Sequence, residues 1–147
     1  MSDGIKVKFH GMKELDKAIQ RLPEALKKRA YRSVLSTGAR VIAKHIKRNI
    51  PKDTGNLKRS IGIKVNPKSK TPWARIGPKR GVSTTEGGKQ VRVTDYAKNV
   101  EQGTATTAAQ PYIRPGIDSS GSEVMTKMTA GLNRFMARAV ASARRKA

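Results

Sequence analysis

The chain sets 32 Lys and Arg against 10 Asp and Glu, a formal charge of +22 over 147 residues, and no other feature restricts its folding as much. Self-repulsion of that size opposes compaction, so apolar burial has to overcome it. Leu, Ile, Val and Phe together number 28, about 19 % of the chain, a level at which high net charge borders on disorder. Solubility alone asks for a net charge of magnitude about 2–8 in a small domain. The excess implies a polyanion or an acidic protein surface as partner, and an isolated monomer of marginal stability.

The length suits one domain over 1–147 and leaves little room for a second independent core. Charge is spread as +9, +9 and +4 over residues 1–50, 51–100 and 101–147, so only the basic end 144–147 reads as a nucleic-acid arm. With no Cys, disulfide scaffolds, thiol nucleophiles and thiolate metal sites are excluded. Residues 1–4 show no apolar leader, and no apolar run approaches the roughly 20 residues of a membrane span. A soluble protein without membrane contact is expected.

Hydrophobic periodicity predicts an α+β fold. Ile5, Val7 and Phe9 alternate with Lys6, Lys8 and His10 as in a half-buried strand. Leu15, Ile19 and Leu22 then recur at helical spacing as far as Pro23. From Glu24 to Arg48 the apolar positions keep to one side of a long helix, with Arg29, Arg32, Arg40 and Lys47 on another, and Gly38 marks a close approach to a neighbour. Three extended stretches, Ile61–Val65, Trp73–Gly77 and Val91–Val93, predict a small, mostly antiparallel sheet. Between the last two, residues 78–90 are polar, basic and Gly-rich, and read as a long mobile hairpin loop. A second amphipathic helix, Ser122–Arg145, carries Met125, Met128, Leu132, Phe135, Met136 and Ala139 on one face and Lys127, Arg134, Arg138 and Arg145 on another. The sheet is expected to pack against both long helices.

Catalytic chemistry finds little to work with. His10 and His45 have no second His or acid at ligand spacing, so both read as structural residues and no metal is assigned. Gly87, Gly88 and Lys89 resemble the end of a nucleotide loop, but Ser83 stands where its first Gly belongs and Gln90 where a magnesium-holding Ser or Thr belongs. A magnesium nuclease built on Asp53, Asp95 and Glu101 would draw its acids from separate elements. The six aromatic residues are not grouped as a base-stacking platform. No enzyme and no cofactor is expected.

Three short strings are more specific. The first, Ile50 to Ile61, reads IPKDTGNLKRSI and contains Pro51, Asp53, Thr54, Gly55, Leu57, Ser60 and Ile61. Physically it is a helix stop followed by re-entry: Pro51 ends the helix, Asp53 and Thr54 can bond nearby N–H groups, and Gly55 permits the turn. The second, Tyr96 to Thr104, contains Tyr96, Ala97, Val100, Glu101, Gly103 and Thr104. The third, Ala109 to Pro115, contains Pro111, Tyr112, Arg114 and Pro115.

In this order the strings resemble the tail-completion and head–tail neck proteins of long-tailed bacteriophages, over about residues 5–140. Two departures stand out: Gly116, Ser119, Ser120 and Gly121 interrupt the approach to the last helix, and the charge is high. The resemblance implies a non-enzymatic virion protein at the head–tail junction, assembled in the host cytoplasm as a homo-oligomeric ring, taken as a hexamer. Its partners would be neighbouring neck and tail proteins and the genome's double-stranded DNA, which would end at or pass through the ring. It also implies a structural brace, with Glu101 and Arg114 paired and Tyr96, Val100 and Tyr112 in the core. Six copies would carry more than about 100 formal charges, whereas a ring about 40 Å tall encloses roughly 24 phosphates of duplex. Arg134 and Arg138 are the first choice for the DNA side, with the other cations facing acidic neighbours or solvent. The competing expectation is a free-standing, sequence-independent nucleic-acid binder, for which charge suffices and the strings are accidental.

Overall fold

Pro23 determines how the N-terminal helices divide. In a computed structural model, which describes residues 9–51, 55–81, 83–86 and 88–146 with the side chains of 84–86 excepted, α1 spans Met12–Gln20 and buries Leu15 and Ile19 one turn apart. The extended Pro23 separates it from α2, Glu24–Asn49, and its carbonyl accepts the N–H groups of Leu26 and Lys27. The two helices are tied by Tyr31, whose hydroxyl donates to Asp16 Oδ1 at 2.5 Å and accepts from Gln20 Nε2 at 2.6 Å. Burial and then the Asp16 carboxylate push this phenol up to about 12. The expected strand at Ile5–Phe9 falls on residues outside those described, apart from Phe9, which packs on the core beside α1. His10 is exposed in the turn before α1 rather than half-buried on a strand.

Ile50, extended ahead of Pro51, ends α2. Gly55, at φ 81°, opens the single turn α3, Asn56–Ser60. Then β1, Ile61–Asn66, and β2, Trp73–Pro78, form an antiparallel hairpin in the register Ile61↔Pro78 to Asn66↔Trp73. The third extended stretch does not join it. Instead β3, Ser83–Glu86, and β4, Lys89–Arg92, pair with each other as a separate hairpin within and just beyond the segment read as a loop. Val93 is the fully buried first residue of α4, Val93–Gln102, and not part of a strand. Its alternation with Val91 mimicked a strand, but the ladder stops at Arg92, whose guanidinium reaches Asp95 in the first turn of α4 at 3.0 Å.

The last helix, α5, spans Ile113–Lys146 and runs unbroken through Gly116, Ser119, Ser120 and Gly121, where the sequence reading placed an interruption and a start at Ser122. The small residues are its contact face. A Cβ built on Gly116 would lie 2.7 Å from the Ile46 Cα, and Ser120 is wholly buried with its hydroxyl bonded to the Ile117 carbonyl. Antiparallel packing of α2 on α5, from Ile46 against Gly116 to Arg29 over the Phe135 ring at 5.8 Å, builds the body of the molecule. One apolar cluster gathers Leu15, Ile19, Tyr31, Val34, Val124 and Met128. A second gathers Ala43, Ile46, Leu57, Ile61, Ala97 and Tyr112, and Ile42 packs on both. The architecture is α+β: two long helices with small antiparallel hairpins.

Candidate assembly surface

The three strings, distant in sequence, converge on the second cluster. Leu57 and Ile61 of the first, Ala97 of the second and Tyr112 of the third are buried there, with Tyr96 and Val100 half-buried at its margin. Ser60 is buried, its hydroxyl held by the Leu57 carbonyl at 2.6 Å. Asp53 and Thr54 lie outside the described residues.

Glu101 is the fastener. Its Oε2 accepts the Tyr112 N–H at 2.7 Å and the Ile113 N–H at 3.0 Å. These two donors, at the start of α5, have no partner within the helix, and a carboxylate there also meets the positive end of the helix dipole. Among the described residues no ion pair joins Glu101 to Arg114, which is exposed. The carboxylate is already engaged by backbone. One turn earlier, the Ala97 carbonyl accepts the Tyr112 hydroxyl at 3.2 Å. Burial and the negative field of Glu101 raise this phenol above its ordinary pKa. Pro115 sits in the first turn of α5, where a missing N–H breaks no helical bond.

The connection between α4 and α5 is closed by Gly103. Its φ of 76° suits glycine, and a Cβ there would come within 2.7 Å of the Ala109 nitrogen. Thr104 Oγ1 accepts the N–H groups of Thr106 and Thr107, and Gln110 donates its N–H to the Val100 carbonyl. Pro111 is exposed where the connection meets α5. An open groove of about 470 Å³ remains against this connection, lined by Ile50, Leu57, Tyr96, Val100 and Thr107.

A second junction links α2 to α5. His45, buried between them, places Nδ1 2.9 Å from Ser119 Oγ and Nε2 2.6 Å from Glu123 Oε2. Ser119 Oγ also donates to the Gly116 carbonyl at 3.2 Å. The hydrogen bond from His45, and then the charges of His45, Lys44 and Arg48, hold the Glu123 carboxyl below the usual range against the opposing effect of burial. Sequence reasoning missed both partners, which lie more than seventy positions away.

Of the eight singled-out cations, Arg32, Arg40, Lys127, Arg134, Arg138 and Arg145 are exposed and Lys47 is half-buried, while exposed Arg29 stacks on Phe135. Cations crowd elsewhere too: the close approach of Lys68, ahead of burial and of repulsion from Arg32, lowers the pKa of the Lys28 ammonium. Among the described residues no three metal-ligating side chains converge. The acids of the nuclease reading are dispersed, with Asp95 on Arg92 and Glu101 on the α5 backbone. No described helix is long and apolar enough to cross a membrane.

The sequence model of the HK97-gp10-like family, described as "Bacteriophage HK97-gp10, putative tail-component", matches residues 13–103, more than half of the chain. The chain belongs to this family of bacteriophage tail components. The matched span runs from α1 to Gly103 and takes in the first string and all of the second but Thr104, so it is narrower than the 5–140 of the resemblance; the third string and α5 lie beyond it. No curated protein and no solved structure matches the chain.

Proposed function

We propose that this tail component is a non-enzymatic structural protein of the virion that completes the tail and helps to join it to the DNA-filled head, acting as a homo-oligomeric ring around the DNA path. The observation that carries this reading is the joint of strings around Tyr112: family-matched segments are fastened to the start of α5, and so fix the direction of a 34-residue helix. At 1.5 Å per residue that helix extends about 51 Å. Its last eleven residues, Met136 to Lys146, are exposed apart from half-buried Ala139. They include Arg138, Arg144 and Arg145, with no acid after Glu123. A basic arm held out by a stiff joint supports backbone-level contact with duplex DNA.

The ring would form in the host cytoplasm and be carried at the head–tail junction, with neighbouring neck and tail proteins as further partners. Replacing Arg134 and Arg138 with Glu tests the DNA side: infectious particle yield should fall at least tenfold while the protein still folds and incorporates. Unchanged yield with normal tail joining removes the channel assignment. Mass photometry and stained micrographs of the purified protein test the ring, and a lone monomer absent from purified particles overturns the whole proposal.

A further inference from the structure

A dense cluster of cations lies away from α5. Arg40, Lys44, Lys47 and Arg48 from the last turns of α2, together with Lys58 of α3, surround a hollow of about 340 Å³. Among the described residues none of the five forms an ion pair and no carboxylate lines the hollow. Lys44 and Arg48 do share the field of Glu123, so part of their charge is offset. The negative end of the α2 dipole offsets a further part, equivalent to about half a charge. A large positive excess remains.

The rest of the lining decides what it suits. Ala43 and Ile63 complete the hollow, and Ile63, 39 % exposed on β1, is one of only three large apolar side chains left open among the described residues. An aliphatic residue ringed by cations gains nothing from a duplex, whose accessible backbone offers phosphate and sugar and whose convex surface would rest on the rim. An acidic peptide with an apolar side chain satisfies both parts: that side chain covers the open Ile63, while its carboxylates meet the lysines and arginines. Complementarity of this kind also excludes a second copy of so basic a chain as occupant.

We propose that the hollow between α2, α3 and β1 is a docking site for an acidic, apolar-anchored segment of a neighbouring protein. The proposed role at the head–tail joint supplies the identity of that neighbour, and the site deepens that reading. Binding in solution requires no virus, so failure at this site and failure of the joining role are measured separately.

The experiment uses the full chain and three fluorescent probes: a short peptide of glutamates interrupted by two leucines, an all-glutamate peptide of equal charge, and duplex DNA. At moderate salt the leucine-bearing peptide should bind several-fold more tightly than the all-glutamate one. Lys44→Glu with Lys58→Glu should weaken it at least tenfold. Ile63→Ser should erase the advantage of the leucines without changing all-glutamate binding. Lys44, Lys58 and Ile63 are exposed, so the fold should persist; circular dichroism checks it, and Lys44→Gln with Lys58→Gln replaces the charge reversal if that variant misfolds. Equal binding of both peptides, indifference to these substitutions, or a larger loss for duplex DNA than for the peptide would each overturn the assignment.

Discussion

Gly116→Ala separates two effects of opposite sign. In an ordinary helix interior the change stabilises by about 0.8–1 kcal/mol, because alanine loses less conformational freedom on folding. At Gly116 the new methyl would lie 2.7 Å from the Ile46 Cα and 2.8 Å from its nitrogen and Cγ1, far inside the 3.5–4.0 Å of favourable carbon contacts. Two of those atoms are backbone of α2 and cannot swing aside. The helices must therefore part by about 1 Å, and overpacking of this kind costs about 1–3 kcal/mol. The net result should be destabilisation of about 1 kcal/mol, rising to about 2 if the parting also breaks the neighbouring His45–Ser119 bond. Gly121→Ala is the control on the same helix. Among the described residues its methyl would meet only the Phe9 ring, at 3.7–3.8 Å, and should stabilise by about 0.5–1 kcal/mol. Urea unfolding followed by helical circular dichroism gives both values, and the melting midpoints should differ by several degrees. Equal stability of the two variants, or a gain at Gly116, would refute the close-approach argument.

Two further outcomes follow from the joints. Glu101→Ala leaves the Tyr112 and Ile113 amides without their acceptor and should destabilise by about 1–2 kcal/mol, with Glu101→Gln recovering part; hydrogen exchange at these two amides should accelerate, and unchanged exchange would contradict the capping role. Because Glu123 is held below its ordinary value of 4.5, its contribution to stability is full above that unfolded-state value and is lost as pH falls through the lower folded-state value. Glu123→Gln should therefore be less stable than the parent near neutrality and lose less on acidification, and parallel urea midpoints from about pH 6 to 3 would refute it.

Periodicity made the two long helices legible, because their apolar positions recur every three to four residues whatever they pack against. It failed where tertiary contact overrides local preference. The glycines and serines at 116–121 read as a helix breaker, yet they let α5 lie directly on Ile46, and that contact outweighs their weak propensity. Val91 and Val93 look alike in sequence, but one pairs with Thr84 and the other is the buried first residue of α4. The three strings were recognisable as strings, and a brace with Tyr112 in the core was expected from the resemblance; the partner of Glu101 was not legible, since it serves backbone amides instead of the Arg114 side chain. The His45–Glu123 pair carries no local signature, being 78 positions apart.

In the proposed ring, the geometry of α5 would link subunit contact to DNA contact. It is eight residues longer than α2, about 12 Å at the helical rise, and Met136 and Val140 are exposed on its free part at 38 % and 52 %. At about 100° per residue these two lie roughly 160° around the helix from Arg134 and Arg138. A neighbouring subunit that buries Met136 and Val140 would leave the two arginines on the side away from itself. In the proposed ring, apolar contact between subunits would then direct the basic flank of α5 toward the central path without any contact to the DNA. Met136→Ser with Val140→Ser should consequently weaken ring assembly and, through it, DNA retention, whereas the arginine reversals should weaken DNA contact alone. If the serine variant assembled normally yet lost DNA, this division of labour between the two flanks would be wrong.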